Sequence, residues 1–208
     1  MRLGLDFDNT IACYDKVFLN LAKQWQLVNQ NFQGNKRQLS DKLHSLPEGD
    51  MLWQRLQGKV YGEYMHQAVC FSGFKTFIKT CALQSNIELF IVSHKTEFGH
   101  FDDKKINLRM AAKNWLLQEK LLGDSASLIA EKNLFFESTR EEKIARIRTL
   151  QCTHFIDDLV EVLNAPQFPV SVKKMWFNPM ANNADTDQTI EQFHQYSDWT
   201  SIQYALFK

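Results

Sequence analysis

Five short apolar runs constrain this chain more than anything else in it: MRLGLDFD (1–8), IELFIVS (87–93), NLFFE (133–137), THFIDD (153–158) and VKKMWF (172–177). Each is rich in Phe, Ile, Leu or Val and is bounded by polar or turn residues, which predicts strands. Between them stand segments with helical spacing. In KINLRMAAKNWLLQEKLL (105–122), Leu108, Ala111, Ala112, Trp115, Leu116 and Leu122 fall on one broad stripe. REEKIARIRTL (140–150) follows Ser138 and Thr139, two residues suited to capping a helix N-terminus. FSGFKTFIKTCALQ (71–84) and YSDWTSIQYALFK (196–208) also read as helices, and NNADTDQTIEQ (182–192) reads as a polar loop. Strands alternating with helices predict an α/β fold: a parallel sheet covered on both faces.

The rhythm breaks between residues 15 and 69. DKVFLNLAKQWQLV, KRQLSDKLHSL and GDMLWQRLQGKVYGEYMHQA all read as helices, punctuated by Gly34-Asn35 and Pro47-Glu48-Gly49. An ordinary strand-to-strand connection is far shorter. The expectation is a Rossmann-like core made of 1–14 plus 70–208, with a helical subdomain inserted at 15–69. Trp53, Tyr61, Tyr64 and Met65 in that insert have helical spacing and are expected to fill its core.

Composition narrows the partners. The 208 residues carry 24 Lys and Arg against 24 Asp and Glu, for a formal charge of +0. A balanced chain with no basic run lacks the clustered cations that grip a phosphate backbone or an anionic membrane, so neither nucleic acid nor membrane is expected. Cys13, Cys70, Cys81 and Cys152 are widely spaced, with no CxxC pair, and read as reduced thiols. The chain enters a strand pattern at once, without a leader-like segment, and no apolar run approaches the ~20 residues of a spanning helix. A cytoplasmic protein is expected.

The strand ends carry the chemistry. Parallel sheets bind ligands in the crevice beyond the C-terminal ends of their strands. Asp6 and Asp8 lie at that end of the first run, Ser93 ends the second, and Asp157 and Asp158 end the fourth. Four acids converging there repel one another unless a cation sits among them, and hard oxygen ligands favour Mg²⁺. A carboxylate beside such a cation is a competent nucleophile toward phosphorus, and a second acid two residues on is placed to protonate a leaving group and then activate water. A lysine balances the phosphate charge: Lys143, just before the fourth strand, is best placed, with Lys95 second. Each element has a plainer reading. Asp-Asn-Thr suits a turn, Ser93 suits a helix cap, and Lys143 has Arg140, Arg146 and Arg148 as neighbours on a solvated face. His94 and Lys95 read as loop residues, and Phe101-Asp102-Asp103 as a solvated helix start.

These residues resemble the four motifs of the haloacid dehalogenase (HAD) superfamily. Asp6-Phe7-Asp8-Asn9-Thr10 resembles the first, Ile91-Val92-Ser93 the second, Lys143 the third and Phe155-Ile156-Asp157-Asp158 the fourth, in order across residues 1 to about 180. Phe71-Ser72-Gly73-Phe74 is similar to the segment that returns the chain from a cap, with Ser72 replacing the usual Pro. The resemblance implies a HAD-like core with a helical cap at 15–69. It implies that Asp6 is the nucleophile, and that Asp8 is the general acid/base and lends its carbonyl to Mg²⁺. Ser93, Lys143, Asn9 and Thr10 would bind the phosphoryl group, with Thr10 also supporting the geometry of the first-motif loop. The metal set would be Asp6, Asp8, Asp157 and Asp158. An acid at position 8 resembles the phosphatase and phosphomutase branch. The expected function is therefore a Mg²⁺-dependent phosphomonoesterase on a small phosphorylated metabolite, a sugar phosphate or a nucleotide. A phosphomutase or phosphotransferase, and a non-catalytic HAD-like domain that binds a phosphorylated ligand or a protein, are the alternatives.

Overall fold

The computed structural model describes residues 1–123, 129–180 and 193–208. The chain divides into two compact units. The first comprises Met1–Ala12, Cys70–Lys95 and Glu119–Lys208; the second comprises Cys13–Val69 and Thr96–Gln118.

The first unit is built on a six-stranded sheet. In chain order its strands are β1 (Arg2–Leu5), β4 (Glu88–His94), β5 (Leu134–Glu137), β6 (His154–Asp157), β7 (Lys173–Phe177) and β8 (His194–Tyr196). Two-residue strands β2 (Ala12–Cys13) and β3 (Val69–Cys70) form a separate small ladder. The six strands run in the spatial order β5-β4-β1-β6-β7-β8, and each neighbouring pair is parallel. The order reverses direction at β1, the doubly wound arrangement whose ligand crevice opens where the central strands diverge. The five expected strands are all present. β8 was not expected, because His194-Gln195-Tyr196 has no apolar run; it is fixed by pairing Phe177 with Tyr196. The polar segment 182–192 lies outside the described residues.

The central strands β1, β4 and β6 are buried along most of their length, as the middle of a parallel sheet has to be. On one face helix α6 (Arg140–Thr149) and the short α7 (Val160–Leu163) cover a core of Phe90, Val92, Ile144, Ile147, Phe155 and Leu163. Gly4 in β1 is required by this packing, since a Cβ there would stand 2.4 Å from the Phe155 ring. An aromatic cluster forms elsewhere in the unit, where α4 (Phe74–Ala82) packs with α8 (Trp199–Phe207). There Trp199 lies 4.7 Å from Phe74, 4.9 Å from Phe77 and 5.4 Å from Phe177 between ring centres. Asp198 caps α8 by accepting from the Ser201 amide at 2.8 Å.

The second unit is helical. Helices α1 (Asp15–Gln24), α2 (Lys36–His44) and α3 (Gly49–Tyr61) bury Phe18, Leu21, Leu39, Leu43, Leu56 and Val60. Asn35 and Gln38 form a reciprocal capping box that starts α2. Phe18 stacks on Trp53 at 5.0 Å and meets Tyr61 edge-on at 5.6 Å. Helix α5 (Leu108–Gln118) also belongs here, together with the segment from Thr96 that leads into it. Whereas the sequence reading limited the helical subdomain to 15–69, the structure's second unit takes in 96–118 as well. The physical reason is a choice of partner. The stripe of Leu108, Ala112, Trp115 and Leu116 is buried, and the Trp115 indole N–H donates to the Ala68 carbonyl at 3.0 Å. Periodicity predicts that stripe but not which apolar surface it meets.

Asp102 corrects another reading. It is not a solvated helix start but a buried staple, accepting from Lys59 Nζ at 2.8 Å and from the Ile106 amide at 2.9 Å. Burial pushes its carboxyl up, but Lys59 and the two amides of Ile106 and Lys104 outweigh this and hold it below its ordinary value. Nearby, Gly58 and Gly99 let backbone approach backbone: a Cβ on Gly99 would stand 2.6 Å from the Gly58 Cα.

Candidate functional site

The candidate site lies wholly within the first unit, at the C-terminal ends of β1, β4 and β6. Sheet register creates it. Leu5 pairs with Ile156 on one side and Ile91 on the other. The next residue, Asp6, donates its amide to the Ile156 carbonyl at 2.9 Å and so stands beside Asp157.

After Asp6 the chain turns tightly. Asn9 adopts φ 59°, a left-handed conformation that Asn tolerates better than most residues. Its amide donates to the Ala12 carbonyl at 2.9 Å, and the Ile11 amide to the Phe7 carbonyl at 3.0 Å. Trp199 holds the turn from outside, its indole N–H donating to the Thr10 carbonyl at 3.1 Å. The Thr10 hydroxyl stands 3.4 Å from Asp6 Oδ2 and 3.4 Å from Asp158 Oδ1, so it links the first acidic strand end to the last. Trp176 fixes the other side by donating to the Asp158 carbonyl at 3.0 Å.

Lys143 reaches the site from α6. That helix starts at a capping box, with Thr139 accepting from the Glu142 amide at 3.1 Å. One turn later Lys143 projects inward and is 1% exposed. Its Nζ lies 2.6 Å from Asp6 Oδ1 and 2.7 Å from Asp157 Oδ2. Burial favours the neutral amine, but Asp157 and Asp6 together outweigh it, so the ammonium is held charged well above the usual lysine range. Asp157, fully buried, is pushed up to about 6: burial is the largest cause, Lys143 opposes it and Asp6 adds to it. The Leu159 amide also donates to Asp157 Oδ1 at 3.0 Å. One cation among two enclosed carboxylates leaves the centre short of positive charge.

The acids are not all brought to one point. Asp6, Asp157 and Asp158 each offer a carboxylate oxygen, and these oxygens lie within 4.8 Å of one another. Such a set of hard oxygen donors fits Mg²⁺. The Asp8 carboxylate lies instead against Lys95, whose Nζ is 3.0 Å from Oδ1 and 2.8 Å from Oδ2. Ser93, at the end of β4, is 1% exposed, and its Oγ makes no hydrogen bond. A buried hydroxyl in that condition is costly unless a ligand oxygen meets it. Asn9 and Thr10 form the turn that follows Asp6, and Thr10 is fully buried there.

Sequence reasoning ranked Lys95 below Lys143 and left it with the loop residues. The structure buries its side chain to 2% exposure and pairs it with Asp8. A lysine two residues beyond a polar strand end, on the strand next to an acidic one, was the signal available. His94 instead bonds the Ser138 carbonyl at 3.0 Å through Nε2 and is exposed. Arg140 is exposed at the first residue of α6.

No family model matches the chain. No curated protein matches it either. Solved structures do. A haloacid dehalogenase-like hydrolase from Streptococcus pneumoniae aligns over 100% of this chain and 98% of its own, with TM-score 0.61 and 12% identity. A phosphoserine phosphohydrolase-like protein from Francisella tularensis aligns over 100% and 99%, with TM-score 0.59 and 10% identity. A HAD-hydrolase from Bacillus subtilis, bound to magnesium, aligns over 100% and 98%, with TM-score 0.56 and 14% identity. At such identities the likeness is one of fold, and it covers the whole chain: this protein has the haloacid dehalogenase-like fold.

Proposed function

We propose that the protein is a Mg²⁺-dependent phosphomonoesterase acting on a small phosphorylated metabolite, such as a sugar phosphate or a nucleotide, through a phosphoryl group carried on Asp6. The observation that carries this reading is the joint placement of Asp6, Lys143 and Asp157 within 2.7 Å contacts at a strand-end crevice, beside a buried Ser93 hydroxyl that has no protein partner.

Asp6, Asp157 and Asp158 would hold the metal, which supplies charge neutralisation and polarises the phosphoryl oxygens. The remaining work falls to the chain. Ser93 Oγ and Lys143 Nζ take two phosphoryl oxygens. Asp6 attacks phosphorus, forming the Asp6–phosphorus bond as the ester oxygen leaves. Asp8 delivers a proton to that oxygen, releasing an alcohol. Asp8 then takes a proton from water as water attacks phosphorus. The bond to Asp6 breaks, inorganic phosphate leaves and Asp6 is restored. Two structural neighbours are described as a hydrolase and as a phosphoserine phosphohydrolase-like protein, which supports the same chemistry. The second unit, carrying the 15–69 helices, is assigned the role of a cap that selects the substrate. Four free thiols fit a reducing, cytoplasmic setting.

The test is hydrolysis of 4-nitrophenyl phosphate and of a panel of sugar and nucleoside monophosphates, with Mg²⁺ and with chelator, by wild type and Asp6→Asn. Turnover that needs Mg²⁺ and disappears in the variant is expected. Undiminished turnover in Asp6→Asn removes Asp6 as nucleophile, and silence across the panel removes the phosphatase reading.

A further inference from the structure

We propose that Lys95 is a positioning residue for Asp8, holding the acid/base carboxyl in place. The proposal rests on the phosphatase reading above and deepens it.

The two buried lysines of this crevice have separate clients. Lys143 spans Asp6 and Asp157. Lys95 contacts both oxygens of Asp8, at 3.0 Å and 2.8 Å. A single ammonium shared by both oxygens anchors the carboxylate at one point. The Lys95 side chain is 2% exposed, whereas Asp8 is 18% exposed. The ammonium is thus closed off from solvent while the acid keeps access to it. Burying an ammonium is costly unless it is paired, so this contact defines the place of Lys95 as well as that of Asp8. The lysine is itself held from two directions. Its amide donates to the Glu137 carbonyl at 2.9 Å, which continues the β4–β5 ladder one residue past His94. Its Nζ lies 5.5 Å from the centre of the Phe7 ring. Phe7 is fully buried between Asp6 and Asp8 in the chain.

This arrangement matters in the first half of the reaction. A proton donor serves the leaving oxygen only when its carboxyl is held within reach of it, and a carboxyl fixed in advance needs no reorientation as the bond breaks. The benefit scales with how much protonation the leaving group needs. A nitrophenolate leaves with little help, while a phenolate, whose conjugate acid has a pKa of about 10, needs more.

The experiment compares kcat/KM for phenyl phosphate and 4-nitrophenyl phosphate in wild type, Lys95→Met and Lys95→Arg, all with Mg²⁺. Lys95→Met is expected to lose about 100-fold on phenyl phosphate but less than about 5-fold on 4-nitrophenyl phosphate, in line with the size of general-acid contributions. Lys95→Arg, which keeps a charged donor, is expected to recover much of the loss. Equal losses on both esters overturn the proposal, because they place Lys95 on the phosphoryl group or in the fold. No loss on either overturns it as well. If wild type turns over neither ester nor any phosphate of the panel, the phosphatase reading fails by itself. The positioning claim is then judged on a crystal structure of Lys95→Met. An Asp8 carboxylate displaced while Asp6, Lys143 and Asp157 stay in place supports it; an unmoved Asp8 refutes it.

Discussion

Replacing Lys143 with Met tests whether one ammonium holds this centre together. Met keeps most of the aliphatic stem and removes the charge, so packing on the core side is little changed. What changes is electrostatic. Asp6 and Asp157, with side chains 6% and 0% exposed, lose a cation that stands 2.6 Å and 2.7 Å from them. Removing one partner of a buried pair costs about 3–5 kcal/mol, most of it from the charge left behind. In a chain of this length each kcal/mol moves the melting temperature by about 2–4 °C, so Lys143→Met is expected to melt about 10 °C below wild type in the presence of a chelator. Magnesium should then act unequally on the two proteins. In wild type the ion joins a centre that already holds one positive charge; in the variant it meets carboxylates with none. Ligand at about 100 times its dissociation constant stabilises by about 2.7 kcal/mol, and tighter binding by the variant enlarges this. The Mg²⁺-induced rise in melting temperature should therefore be larger for Lys143→Met than for wild type, although phosphatase turnover stays lost. Thermal melts with chelator and along a Mg²⁺ titration measure both quantities. A variant that melts within about 2 °C of wild type in chelator, or equal Mg²⁺ shifts in both proteins, would refute the reasoning.

Two further outcomes are expected. Ser93→Ala removes a buried hydroxyl that has no protein partner, so its melting temperature should hold or rise, while kcat/KM falls about 100-fold from loss of a phosphoryl-oxygen donor. A loss of stability in that variant would show the hydroxyl to be structural. Asp102→Asn should destabilise the second unit in a pH-dependent way. Asp102 is held below its ordinary 3.8, so its contribution is fully present above 3.8 and is lost as pH falls through the lower folded value. Lys59 is held above its ordinary 10.5, chiefly by its bond to Asp102, so its contribution is fully present below 10.5 and fades at higher pH. Urea unfolding of both proteins at about pH 7 and about pH 3 should show a stability gap at the first that closes toward the second; a gap that is the same at both would refute the assignment.

The sequence by itself determined five strands of the sheet and where their polar ends fall. Apolar runs ending in Asp6, Ser93 and Asp157 can be read locally because a buried parallel strand needs side chains that shed water on both faces, and a ligand crevice needs them to stop doing so at one end. The capped start of α6 and the placement of Lys143 were legible for the same local reason. Tertiary structure decided everything that depends on partner choice. The stripe of α5 says that the helix buries one face, yet only the fold shows it meeting Ala68 through Trp115. Strand β8 has no apolar signature, and exists because an unpaired sheet edge beside Phe177 accepts it. Asp102 and Lys95 look like solvated loop residues in sequence. Each becomes a buried ion only when Lys59 or Asp8 arrives from a distant segment, since a buried charge is sustained by its partner and not by its neighbours in the chain.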